Sequence, residues 1–129
     1  MSYDVFLQEQ ETGNTIELTH PYSFQGGTYL QGYRKGAWIS VTGNYSETID
    51  EIMSLSSGSN VGLRKLDGYT GKESIHTLLY VLTALTEHVD YSVPTNNYWE
   101  VTPANIAKTL VALIHFATMR PDGIFKVVG

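Results

Sequence analysis

The stretch YWEVTPANIAKTLVALIHFATM, residues Tyr98 to Met119, decides the fold of this chain. Thr102 is a good N-cap, because its hydroxyl accepts a hydrogen bond from a free N–H of the first turn, and Pro103 suits the first helical position, where no N–H is needed. The Pro-Asp-Gly sequence after Arg120 ends the helix. Apolar side chains recur along it at spacings of three and four: Ile106, Leu110, Leu113, Ile114 and Ala117. This stripe predicts a central helix that other elements must cover.

Two further helices are predicted upstream of it. Thr70 and Glu73 have the spacing of a capping box and begin a second long amphipathic helix, which ends near residues 87–90. Its apolar positions are Ile75, Leu78, Leu79, Leu82, Leu85 and Val89. A shorter helix is expected from Ser46, as its cap, to Leu55, with acidic residues in the first turn, where the helix dipole favours them.

The remaining segments favour β-strands. Residues 3–8 and 15–18 alternate around a cluster of turn residues, which predicts a hairpin with Val5 and Leu7 on the same face as Ile16 and Leu18. Residues 37–42 form a clear strand with Ala37, Ile39 and Val41 on one side, 28–31 a short one, and 124–128 a closing one, whereas 20–24 resemble a loop. The sequence therefore predicts one α+β domain, 1–129, with an antiparallel sheet of three to five strands packed against two long helices and one short helix.

Composition limits the possible functions. The net charge of −5 argues against broad binding to DNA, RNA or an anionic membrane, although a local basic pocket is compatible with it. The absence of cysteine excludes disulfides, thiolate metal sites and cysteine nucleophiles. No signal-peptide pattern or long apolar run occurs, so we expect a protein of the cytoplasm.

The glycine-rich segment Gly68 to Glu73 invites comparison with a phosphate-binding loop, since such a turn can bind an anion through backbone N–H groups. The Walker spacing is absent, and Glu73 stands where a Ser or Thr would be needed. Helix capping is the favoured interpretation. A generic anion site formed by Thr70, Gly71 and Lys72 is the alternative.

Neither a metal site nor a catalytic site is indicated. The four histidines, His20, His76, His88 and His115, do not stand at a ligand spacing on one helix. No Gly-x-Ser-x-Gly motif occurs. The acidic pair at 50–51 is expected to be a solvated helix face. We therefore expect no enzymatic activity and no cofactor.

The most suggestive feature is a set of aromatic and basic residues near the ends of predicted loops. They can supply stacking faces and phosphate donors for a nucleotide-like ligand if they converge in space. The alternative is that the aromatic side chains fill the core and the cations are solvated. The candidate ligand-binding residues are Tyr29, Tyr33, Arg34, Arg64, Lys65, Tyr69, Thr70, Lys72, Tyr98 and Trp99.

Several local patterns together resemble a family of small uncharacterised proteins carried by bacteriophages and prophages. They are the start at residues 3–5, the segments 26–29, 41–45, 66–71 and 73–75, Tyr98-Trp99, 102–105, and 121–123. The resemblance covers most of the chain, but the Ser-Gly-rich segment 56–60 departs from it.

A phage setting implies an accessory protein that acts against host defence. The leading expectation is a non-enzymatic protein that sequesters a nucleotide immune signal, such as a cyclic ADP-ribose derivative or a cyclic oligonucleotide, in the host bacterial cytoplasm. The alternatives are a protein that inhibits a host protein directly, a small hydrolase using His76 or His115, and a virion component. Unpaired strand edges and exposed aromatic residues also predict a homo-oligomer.

Overall fold

A computed structural model describes residues 3–22, 28–29, 34–41, 43–57, 62–88 and 103–129. The elements follow one another as β1 (Tyr3–Gln8), β2 (Glu17–Tyr22), β3 (Thr28–Tyr29), β4 (Arg34–Gly36), β5 (Trp38–Val41), α1 (Gly43–Ser57), a 3-10 helix (Gly62–Leu66), α2 (Gly71–His88), α3 (Pro103–Met119) and β6 (Ile124–Val128). The fold is thus α+β, as predicted, with an antiparallel sheet and three α-helices among the described residues.

The main sheet has the strand order β3-β5-β1-β6. Strand β1 is central because both β5 and β6 pair with it in antiparallel register, and Phe6 lies opposite Trp38 on one side and Lys126 on the other. Strands β2 and β4 form a separate two-stranded sheet. The N-terminal and C-terminal strands of the chain are therefore neighbours.

Alternation along the strands gives the main sheet two different faces. The inner face carries Tyr3, Val5, Leu7, Ile39, Val41 and Phe125, all of them buried. These side chains belong to one hydrophobic cluster with the buried residues of the three helices. The outer face carries Asp4, Phe6, Gln8, Trp38 and Ser40, which are half-buried, together with exposed Lys126 and Val128. The predicted burial of Ala37, Ile16 and Leu18 is also confirmed.

The two long helices begin and end close to the predicted residues. Helix α3 spans Pro103–Met119, and Ile106, Leu110, Leu113 and Ala117 are fully buried, while Ile114 is half-buried. The expected cap Thr102 lies outside the described residues. In α2 the prediction that Leu79 belongs to the buried apolar face was wrong. The buried side of this helix contains Ser74, Leu78, Val81 and Leu85, and Leu79 is 47% exposed.

Helix α1 and strand β2 differ from the prediction. Helix α1 begins at Gly43, so Ser46 is inside it and donates to the Gly43 carbonyl instead of capping it. The helix has 15 residues and no acidic residue in its first turn. Its early start buries Tyr45 completely, a tertiary gain that outweighs the turn-forming character of 43–45. Strand β2 continues through His20 and Pro21 and pairs with β4, so the expected hairpin is reduced to a bridge between Gln8 and Thr15.

One edge of the main sheet is covered. Residues 67–70 run beside β6: Phe125 exchanges hydrogen bonds with the backbone of Gly68 and Tyr69, and the Asp67 carboxylate accepts from Val127 N–H at 2.9 Å. A covered edge does not offer N–H and C=O groups to another chain. Unpaired strand edges were one reason to expect a homo-oligomer, and that reason does not apply at β6. No helix among the described residues is both long and apolar enough to span a membrane.

Candidate functional site

The start of α2 is a fully satisfied helix cap. Its first four N–H groups all donate to protein acceptors: Gly71 to Gly123 O (2.8 Å), Lys72 to Pro121 O (3.0 Å), Glu73 to Thr70 Oγ1 (3.1 Å) and Ser74 to Thr70 O (3.0 Å). The Glu73 carboxylate also accepts from the Thr70 N–H and hydroxyl. The capping interpretation is confirmed. An anion at this position would have to displace Glu73 or a backbone acceptor.

The backbone of α2 also lies against the end of α3. A Cβ atom at Gly71 would lie 2.7 Å from the Arg120 carbonyl oxygen and 3.1 Å from the Ala117 Cα. The glycine of the supposed phosphate loop is therefore explained by close helix packing. This packing leaves no room for a ligand between Gly71 and the end of α3.

The other predicted site residues of this segment have separate environments. The Arg64 guanidinium donates to the Gly129 carbonyl and lies 5.7 Å from the centre of the Tyr3 ring. Tyr69 is half-buried against the core, Lys65 is half-buried, and Lys72 is exposed. Five predicted site residues thus lie in one stretch of chain: Arg64, Lys65, Tyr69, Thr70 and Lys72. At least three of them, Arg64, Tyr69 and Thr70, make contacts within the protein itself.

The rest of the predicted set lies elsewhere or outside the described residues. Strand β3, which contains Tyr29, is at the opposite edge of the main sheet from the 67–70 segment, a distance of roughly four strand spacings or about 19 Å. Arg34 belongs to β4 of the smaller sheet, and the side chains of Tyr29 and Arg34 are not among those described. Tyr33, Tyr98 and Trp99 lie outside the described residues. A ligand touching both Tyr29 and Tyr69 would have to span the whole sheet.

An aromatic pair that the sequence analysis did not select lies on the outer face of the main sheet. The rings of Phe6 and Trp38 stack with their centres 5.8 Å apart and an interplanar angle of 22°. They are directly opposite residues of β1 and β5, and both are half-buried. The signal was available, because period-two alternation places Phe6 on the side opposite Val5 and Leu7. That Phe6 and Trp38 are neighbours could be known only from the strand order.

Polar groups surround this pair on the same face. Lys126 is directly opposite Phe6 on β6, and Asp4 and Ser40 face one another in the neighbouring row of β1 and β5. The outer face thus combines an aromatic surface with one cation, one carboxylate and one hydroxyl. We call Phe6, Trp38, Lys126, Asp4 and Ser40 the outer-face cluster. It can offer stacking together with hydrogen bonds to a small ligand.

A second polar cluster joins distant parts of the chain. The Asp50 carboxylate accepts from the Leu63 N–H at 2.9 Å and from the Tyr3 hydroxyl at 3.3 Å. Burial raises the pKa of the Tyr3 phenol, and the negative charge of Asp50 raises it further. Asp50 was expected on a solvated helix face. It instead links α1 to β1 and the 3-10 helix, a role that depends on tertiary contact.

A third cluster ties the β1–β2 turn to the end of α3. Arg120 makes a bidentate pair with Glu9, at 3.1 and 3.0 Å, and a second pair with Asp122 at 3.0 Å. These hydrogen bonds raise the pKa of Arg120 and hold the pKa of Asp122 below its usual range. Gln10 also donates to the Asp122 carbonyl. The cluster stabilises a chain reversal, and the Arg120 guanidinium within it is bonded to two carboxylates.

Two histidines on the helices, His76 of α2 and His115 of α3, have described side chains. His76 is exposed, and His115 is half-buried with its ring edge-on to Phe116 at 6.4 Å. Within the described ranges, no three His, Asp or Glu side chains are grouped so that they could hold a metal ion.

Comparison with known proteins identifies no relative. No family model matches the chain, and neither a curated protein nor a solved structure is significantly similar to it.

Proposed function

We propose that this protein is a non-enzymatic, phage-encoded accessory protein that sequesters a nucleotide signal of host defence, such as a cyclic ADP-ribose derivative or a cyclic oligonucleotide. The resemblance to small phage proteins supplies the setting. The single observation that carries the ligand class is the stacked Phe6–Trp38 pair on the outer face of the sheet. The proposal also places the protein in the host bacterial cytoplasm.

Stacking is the interaction that a nucleobase gains most from such a surface. Base–aromatic stacking contributes about 1–3 kcal/mol per base and is tolerant of base identity. The pair is built into adjacent strands, so its rings are already oriented and lose little conformational freedom when a ligand binds. We favour this site over the start of α2, the alternative anion site, since the N–H groups there are already used.

Fluorescence of Trp38 tests the proposal directly. The chain has two tryptophans, so Trp99→Phe leaves Trp38 as the single reporter. Titration with cyclic ADP-ribose and with a cyclic dinucleotide is expected to quench it, with matching heat in calorimetry. Trp38→Leu, measured by calorimetry, should abolish binding. Tyr80→Leu, which removes an aromatic side chain exposed on α2, should leave it unchanged.

Sequestration without turnover requires a further measurement. Denaturation of the complex should release the nucleotide with its mass intact. No heat and no quenching with either probe would show the proposal to be wrong. Release of a cleaved nucleotide would favour the hydrolase alternative, which replacement of His76 or His115 would then locate.

A second candidate function is direct binding of a host protein through the helices. Its specific support is the exposure of Leu79 (47%) and Tyr80 (50%) on α2 and of Val111 (46%) on α3, since exposed apolar side chains on adjacent helices are typical of interfaces. The same surface would serve a homo-oligomer. This function would be favoured by a pull-down that returns one stoichiometric host protein with the wild type and with Thr118→Glu but not with Leu79→Glu. Sedimentation of the two variants would reveal self-association.

A further inference from the structure

The outer-face cluster contains a row of three side chains across three adjacent strands. Trp38 of β5 is opposite Phe6 of β1, and Phe6 is opposite Lys126 of β6. Directly opposite residues have Cβ atoms about 4.5–5.5 Å apart. A ligand ring stacked on the aromatic pair is therefore within reach of the Lys126 ammonium group, because the lysine side chain adds a flexible four-carbon stem.

Lys126 differs in its partners from Arg64 and Arg120, the two arginines whose side chains the structure describes. Arg120 is held by Glu9 and Asp122, and Arg64 by the Gly129 carbonyl and the Tyr3 ring. The Lys126 side chain is exposed, and the ion pairs found among the described residues do not include it. Its charge is therefore available to a ligand on the outer face.

The charge pattern also gives the face a direction. Asp4 is two residues from Phe6 on the same face of β1, where it is opposite Ser40 of β5 and Val128 of β6, in the row next to the Trp38–Phe6–Lys126 row. Its carboxylate disfavours an anionic group nearby but can accept a hydrogen bond from a base amino group. The anionic part of a ligand is thus disfavoured in the row of Asp4 and favoured beside Lys126.

We infer that Lys126 holds a phosphate of the ligand while the Trp38–Phe6 pair stacks its base, so that this face selects nucleoside phosphates over the corresponding nucleosides. The inference rests on the proposed function and adds a residue that determines specificity. Lys126 acts by a charge-assisted hydrogen bond, which is lost when the ligand lacks a phosphate.

Calorimetry with adenosine 5′-monophosphate and adenosine as probes tests the inference. The wild-type protein is expected to bind the monophosphate about tenfold more tightly than the nucleoside, as a hydrogen bond between charged groups implies. Lys126→Gln should reduce this ratio to about one and leave adenosine binding unchanged. Lys108→Gln removes an exposed lysine from α3 and is the matched control, for which the ratio should persist.

The outcomes separate this inference from the function on which it rests. If both probes bind the wild-type protein equally, or if Lys126→Gln keeps the preference for the monophosphate, the role of Lys126 is wrong although base stacking stands. If neither probe binds, the inference fails, and the titrations with cyclic ADP-ribose and a cyclic dinucleotide decide the proposed function separately. If Lys108→Gln lost the preference for the monophosphate as fully as Lys126→Gln, the cause would be a general charge effect. That result would also overturn the inference.

Discussion

The start of α2 and the outer face of the sheet both carry residues suited to a nucleotide, but they differ in what those residues already do. At the start of α2, the first four N–H groups, the Thr70 hydroxyl and the Glu73 carboxylate are all bonded within the protein. On the outer face, an aromatic pair lies beside an exposed lysine. The segment that resembles a binding loop is thus a helix cap, and the proposed ligand surface lies instead on the outer face of the sheet.

The difference has a physical cause. A helix N-terminus must satisfy its own N–H groups, and a short-range capping box does so before any ligand arrives. A sheet covered by helices on one face has no such requirement on the other face, where Phe6 and Trp38 are half-buried and Lys126 is exposed. Substitutions at the two regions should therefore separate stability from binding.

The largest effect is expected from Gly71→Ala. The added Cβ would press on the backbone of Ala117 and Arg120, which cannot move aside as a side chain can, so unfolding free energy should fall by about 1–3 kcal/mol. Urea denaturation measures the change. Lys72→Ala, one residue on and exposed, is the control and should be nearly neutral. A stabilised Gly71→Ala would mean that helix propensity dominates and that the two helices are not in close contact.

Thr70→Ala should have the next largest effect. It removes the acceptor of the Glu73 N–H and one donor to the Glu73 carboxylate, which should cost about 0.5–2 kcal/mol. Glu73→Gln keeps a side-chain oxygen for the Thr70 N–H and should cost less. Nucleotide binding should be the same in both variants. If Thr70→Ala reduced the free energy of nucleotide binding by more than it reduced the free energy of unfolding, the start of α2 would be the ligand site.

The Phe6–Trp38 contact should give a smaller effect on stability. A double-mutant cycle with Phe6→Leu and Trp38→Leu is expected to show a coupling of about 0.5–1.5 kcal/mol, because the two rings are stacked. Phe6→Leu combined with Tyr80→Leu on α2 should be additive. Absence of coupling would mean that the rings do not form one surface, and it would weaken the case for the outer face.

The smallest effect is expected from Asp122. Because its pKa is lowered by Arg120, the carboxylate stabilises the folded state above its ordinary pKa of about 4 and loses that contribution as the pH falls through the lowered value. Wild type should therefore have a higher Tm than Asp122→Asn at pH 7, and the difference should shrink below pH ~4. Thermal unfolding across this range measures it. Arg120→Met should reduce the pH dependence, because only the backbone hydrogen bond of Asp122 then lowers its pKa. A difference that is constant down to low pH would contradict the pairing.

Particular residues show how far the sequence could be interpreted. The bounds of α3, the capping box of α2 and the burial of Val5, Leu7 and Ile39 follow from local signals, since caps and side-chain periodicity act within a few residues. The start of α1 at Gly43 and the exposure of Leu79 do not, because each depends on which other element provides the covering surface.

The candidate site was harder to predict for the same reason. The predicted site consists of aromatic and basic residues near loops, where ligands commonly bind, but Arg64 and Thr70 make internal contacts. Phe6, Trp38 and Lys126 are far apart in sequence, and only the antiparallel pairing of β1 with both β5 and β6 makes them neighbours.

The sequence by itself determined the α+β class, the long helices and the inward side of β1 and β5, because backbone hydrogen bonding and side-chain periodicity are local properties. The tertiary structure alone decided that β1 is central, that residues 67–70 cover β6, and that an aromatic row ends at Lys126. Strand order brings distant segments together through packing of the whole core, and no local pattern encodes that choice.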